Sequence, residues 1–191
     1  MNETEHTLAQ RSTAELVSLF AQMDAPDIGE MHGEYAARML AQPSRLADVI
    51  GGVSLDNPWL HWLCKAFRPV DANNGRGYNT FQQRGQLVQR YPMNTLIAPS
   101  RFDGKPAYQL IYRHYHSVCG SLNMVDEVRR AAPGVYLGLG TYGLTNAMRH
   151  TPYPFVLVGP QGDYRGDIGR PRKNFQPGAR ELPALFPVRT S

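Results

Sequence analysis

A chain of 191 residues with 42% hydrophobic residues and 19 aromatic side chains carries enough apolar material for one core, which excludes a disordered chain. The formal charge of +4 sits mostly beyond Pro160, where six basic residues face three acidic ones. The remaining body is close to neutral and lacks the basic stripe with interleaved aromatics of a nucleic-acid binder.

In chain order, the first third reads helical. Ser12 and Glu15 form a capping-box pattern, and Leu16, Leu19, Phe20 and Met23 share one face before Pro26. Residues 28–40 fit a helix opened by Asp27 and Glu30, or a strand, because Met31, Gly33, Tyr35, Ala37 and Met39 alternate. Ser44 caps a short expected helix through Ile50, stopped by Gly51 and Gly52. Asn57-Pro58 places a cap and a first-turn proline ahead of a helix from Trp59 to Phe67.

The texture then changes to strands and turns. Asn73 to Gly77 reads as a loop. Gln86 to Gln89, Thr95 to Ala98 and Ala107 to Ser117 read as strands, with an Asp103-Gly104 hairpin turn before the last. Leu122 to Ala131 reads as one short helix, and Val135 to Thr141 and Tyr153 to Val158 as further strands. From residue 160 to 191 the chain becomes an irregular, basic, Gly- and Pro-rich tail with one apolar clasp, Leu182 to Pro187. The expected fold is α+β, with N-terminal helices followed by a curved antiparallel sheet or small β-barrel over residues 1–159.

The segment richest in chemistry is Tyr108 to Ser117. Continued as a strand, it puts Tyr108, Leu110, Tyr112, His114 and His116 on one face and Gln109, Ile111, Arg113, Tyr115 and Ser117 on the other. The first face lacks a permanent charge and would turn two phenols and two imidazoles toward a cavity, a wall suited to a flat or aromatic ligand. Trp62, Tyr136 and Phe155 are expected to complete the wall, with Arg113 at its rim. A histidine there, His114 or His116, is the candidate general base, with Asp126 as its orienter. His-x-His spacing also suits a metal, but a third ligand from His61, His150, Asp126 or Glu127 would have to converge, so no metal and no cofactor are expected.

Scattered motifs between Glu30 and Gly159 resemble the bacterial GXWXG-type proteins of unknown function. Glu30 to Tyr35 resembles the stretch that names the family, and Trp62-Leu63-Cys64-Lys65-Ala66-Phe67 resembles its W-x-G-K-x-F segment. Met124 to Arg129, Val135 to Leu139 and Pro152 to Leu157 resemble its later elements. Tyr35, Ala37 and Cys64 depart from the family's tryptophan and glycines. The resemblance implies a lipocalin-like barrel with a closed-off cavity and brings no catalytic residues.

The expected function is binding of a small, largely apolar molecule, aromatic or planar, in a barrel-like pocket. The alternative is a cofactor-free isomerase, cyclase or lyase acting on such a molecule with a pocket histidine as base. A third class has the basic tail from Gln161 contacting an acidic partner. Cys64 and Cys119 fit no zinc or redox spacing, and no apolar run is long enough to span a bilayer. A cytoplasmic address, no nucleic-acid or membrane partner, and a homodimer left open complete the expectation.

Overall fold

The computed structural model describes residues 3–43, 56–57 and 60–186. Its strands are β1 (Gly33–Met39), β2 (Asp56–Asn57), β3 (Leu60–Pro69), β4 (Asn74–Gln83), β5 (Gln86–Pro99), β6 (Pro106–Ile111), β7 (Val125–Ala132), β8 (Val135–Thr141) and β9 (Tyr153–Gly162). Strands β3 to β9 pair in chain order, and β1 closes the ring between β9 and β3. The result is a closed, eight-stranded antiparallel barrel, with the two residues of β2 added along the start of β3. Closure leaves no long unpaired edge and gives every strand an inner and an outer face.

Alternation sorts the core into two layers. Tyr35, Phe67, Phe81, Met93, Tyr108, Leu110, Val128, Tyr136, Phe155 and Leu157 cluster inside the barrel. Val135, Leu137 and Leu139 of β8 and Val156 of β9 point outward. Two helices cover them, α1 (Glu3–Ala9) through Leu8 and α2 (Thr13–Phe20) through Leu16 and Phe20. Helix α2 starts with the expected box: the Ser12 side chain accepts the Glu15 N–H, and the Glu15 carboxylate accepts the Ser12 N–H at 2.9 Å. One barrel end is closed by residues 28–31, where Ile28 and Met31 join the inner cluster and Glu30 accepts the Tyr136 hydroxyl at 2.8 Å.

Beyond β9 the chain crosses the outer face without regular strands. Asp167 bridges Arg68 and Arg76, at 2.6 and 2.8 Å. Further on, the Glu181 carbonyl accepts from Arg101 at 2.6 Å, and Leu182 is buried against Ala98 and Ile111.

Several local expectations change. Residues 28–40 resolve as a strand, β1, preceded by a turn. The expected helix over 59–67 is instead strand β3, whose backbone pairs with β1 on one side and β4 on the other. Those long-range ladders override the Asn57-Pro58 cap signal, and Asn57 pairs with Leu60. The expected loop at 73–77 has its turn earlier, where Asp71 Oδ1 accepts the N–H groups of Asn73 and Asn74, and β4 starts at Asn74. The segment 122–131 is mostly strand β7, and the helical turn lies just before it, at Val118–Ser121 (α3). The two short strands expected in 86–98 are one continuous strand, β5. The helix expected over 44–50 and its Gly51-Gly52 stop lie outside the described residues.

Glycine is needed on β8 by close approach. A Cβ built on Gly138 would stand 2.1 Å from Cζ of the Phe155 ring. The ring occupies the space the missing side chain leaves, inside the barrel. Gly138→Ala should therefore lower stability by about 1–3 kcal/mol through overpacking, measured by urea unfolding. An unchanged midpoint would mean that Phe155 is not fixed against β8.

Candidate functional site

Inward residues of β3, β4 and β7, together with Tyr112 just past the end of β6, converge on one charged cluster inside the barrel. A bulge in β3 between Trp62 and Cys64 shifts its register, so that Trp62, Lys65 and Phe67 all face inward. Lys65 Nζ donates to Asn79 Oδ1 at 3.0 Å and to the Tyr112 hydroxyl at 2.6 Å, and it forms an ion pair with Asp126 Oδ2 at 2.8 Å. The Tyr112 hydroxyl donates in turn to Asp126 Oδ2 at 2.9 Å, and Trp62 Nε1 donates to Asn79 Oδ1 at 3.1 Å. The buried ammonium thus has two hydrogen-bond acceptors and a carboxylate counter-charge, the partners a buried cation requires.

Aromatic faces enclose the same ammonium. Its nitrogen stands 5.0 Å from the Trp62 ring centre, 5.1 Å from Phe155 and 5.3 Å from Tyr112. Trp62 and Phe155 meet edge to face at 5.8 Å. Gly140 on β8 leaves room for the carboxylate, since a Cβ there would be 3.0 Å from Asp126 Oδ1. Lys65 and Asp126 side chains are each 4% exposed, so the pair is sheltered from solvent screening.

Protonation states follow from burial. Tyr112 is held well above the usual phenol range, first by burial and then by the negative charge of Asp126. It remains a hydroxyl donor across the neutral range. Cys119, beside this cluster, is pushed up to about 12 by burial, so it stays a thiol. Ala37, Met39, Tyr91, Cys119 and Met124 pack against the inner cluster while only partly buried.

Of the residues singled out in the sequence, Trp62, Tyr112, Asp126 and Phe155 meet at this cluster. Tyr108 and Tyr136 are inside but belong to the closed end. Tyr108 donates to Thr95 Oγ1 at 2.8 Å, and Tyr136 packs edge-on against Tyr35 at 5.6 Å. The histidines are elsewhere. Strand β6 stops at Ile111, and Tyr112–His114 form a tight 3-10 turn, so the alternation that aligned His114 and His116 with Tyr108 does not continue.

His114 sits on the outer surface, its ring edge-on to Phe175 at 5.8 Å and its carbonyl accepting the Arg172 N–H at 2.8 Å. Burial, and then the positive charge of Arg76, lower its pKa. His116 is exposed, with its backbone N–H on the Arg170 carbonyl. Arg113 lies 3.9 Å from Glu181, likewise outside the barrel. The expected partnership of Asp126 with a histidine is therefore replaced by one with Lys65 and Tyr112. Among the described residues, no three of His, Cys, Asp and Glu gather to hold a metal.

Lys65 and Asn79 were not among the candidate residues. The available signal was a lysine set in the otherwise apolar run Leu63-Cys64-Lys65-Ala66-Phe67, which a helical periodicity leaves at the helix margin and a bulged strand turns inward. Asn79 lies on β4, just past the stretch from Asn73 to Gly77 that reads as a loop in the sequence.

No model of a known protein family matches the chain, and no curated protein matches it. A solved structure described as the crystal structure of a protein from Thermomonospora curvata is similar, at 13% identity and a TM-score of 0.49, over 82% of this chain and 98% of that chain. Among the described residues, no helix is long and apolar enough to cross a membrane.

Proposed function

We propose that the protein is a lipocalin-like binder that holds one small, flat, largely apolar molecule in the Trp62–Phe155 half of the barrel. The observation that supports this is the placement of Lys65, Asp126 and Tyr112 among aromatic rings. A buried ion pair is rarely the most stable filling of a core, since apolar side chains of similar volume are often as good or better by about 1–4 kcal/mol. Its retention in this half makes sense as recognition. The aromatic faces supply the apolar contact area, and the ammonium supplies the positive charge that draws one acceptor group on the ligand. The resemblance to GXWXG-type proteins fits the same barrel reading.

An enzymatic reading of the same pocket moves the proton-handling role from the histidines to Asp126, favoured by the Lys65 ammonium and the Tyr112 hydroxyl that meet on its Oδ2. Binding and turnover share the pocket, so binding is tested first. Titration with 2-methylnaphthalene, followed by isothermal titration calorimetry, should give saturable binding. Trp62→Ala should weaken it roughly tenfold, the value of one lost aromatic contact. Unsaturable heats of binding, or the same affinity in Trp62→Ala, would remove the pocket from this half of the barrel.

A further inference from the structure

We infer that Lys65 is a nucleophile, and that the molecule bound in the barrel carries an aldehyde or ketone that condenses with its amine to a protonated imine. The inference rests on the binding proposed above and names its ligand class. The chain contains seventeen arginines and only three lysines. Its other deeply buried ion pairs use arginine: Arg101 with Glu127 at 3.0 Å, and Arg129 with Asp103 at 2.6 Å. Arginine holds its charge permanently and cannot serve as an amine nucleophile. The cation inside the barrel is the exception, a lysine, whose nitrogen can give up a proton and form a covalent bond.

The surrounding groups match what imine formation requires. Asp126 Oδ2, 2.8 Å from Nζ, takes one ammonium proton and frees the nitrogen lone pair. The N–C bond forms as the carbonyl π bond breaks, and its electron pair goes to oxygen. That oxygen receives a proton from Tyr112, which recovers one from Asp126 across 2.9 Å. Asp126 then removes a second proton from nitrogen. The nitrogen lone pair forms C=N as the C–O bond breaks, and the oxygen leaves as water with a proton relayed from Asp126 through Tyr112. The balance is ammonium plus carbonyl to iminium plus water, with the Asp126 carboxylate restored as the counter-ion of the iminium. No oxidant or reductant is needed. Trp62 and Phe155, 5.0 and 5.1 Å from Nζ, flank the reacting nitrogen with apolar surface suited to an aryl or conjugated carbonyl.

The test pairs 2-naphthaldehyde with 2-methylnaphthalene, which has a similar shape and no carbonyl. Protein and aldehyde are mixed, reduced with sodium borohydride, and examined by intact-mass and peptide-mapping mass spectrometry. The expected product is one adduct per chain, equal to the aldehyde less one water plus two hydrogens, on Lys65. Lys105 and Lys173, both exposed, act as internal controls. Lys65→Arg keeps the positive charge and should abolish trapping, while Lys105→Arg with Lys173→Arg should leave it intact. Asp126→Asn should slow trapping by roughly 100-fold, the usual size of a lost proton-transfer group. Saturable binding of 2-methylnaphthalene without trapping at Lys65 would overturn the imine and leave the binding proposal standing. Binding of neither probe would overturn both. Modification spread equally over the three lysines would also overturn the imine, because it would show ordinary amine reactivity.

Discussion

Lys65→Met should destabilise the protein by about 3–5 kcal/mol in urea unfolding, because it leaves the Asp126 carboxylate buried without its cation. The cost comes from the orphaned charge more than from the lost attraction. Removing the whole set, with Lys65→Met, Tyr112→Phe and Asp126→Leu together, should therefore return stability to within about 2 kcal/mol of the wild type. Binding of the aromatic ligand's acceptor group should be lost in both variants. Recovery of stability without recovery of binding is the pattern expected of a site. If the triple variant is as unstable as Lys65→Met, the cluster is a structural element of the barrel, and its recognition role falls.

Arg129→Met should produce a comparable loss, about 3–5 kcal/mol, with ligand binding affected only through stability. Arg129 is fully buried on the outward face of β7 and ties together two separate parts of the chain. Its guanidinium donates to both Asp103 carboxylate oxygens, at 2.6 and 2.7 Å, and to the carbonyls of Pro106, Lys105 and Phe20. It also stacks over the Phe20 ring at 4.4 Å, which holds the end of α2 on the β5–β6 hairpin. Lysine has one nitrogen in place of this planar fork, so Arg129→Lys should recover only part of the loss. A loss below about 1 kcal/mol for Arg129→Met, measured by urea unfolding, would show that α2 is anchored by apolar packing alone.

The contrast between these two lysine and arginine sites also explains how much the sequence disclosed. Period-two alternation along Tyr108, Leu110 and Tyr112 identified true barrel-facing residues, since β6 covers the first two and Tyr112 follows directly. Val135 to Thr141 and the Asp103-Gly104 turn were legible for the same local reasons. His114 and His116 were misplaced because alternation carries no information about where a strand stops. The turn at Tyr112–His114 rotates them outward onto the tail. Lys65 was hidden by a local helix signal that lost to pairing with β1 and β4, partners more than ten residues away in the chain. Barrel closure itself depends on β1 meeting both β3 and β9, a pairing no local pattern encodes.

Native mass spectrometry of the purified protein tests most directly whether a ligand is held beside Lys65. The protein and its Lys65→Met, Tyr112→Phe, Asp126→Leu variant would be measured side by side, with 2-naphthaldehyde added to each. One bound molecule per wild-type chain, absent from the folded triple variant, is the predicted result. Equal uptake by both proteins, or none by the wild type, would contradict it.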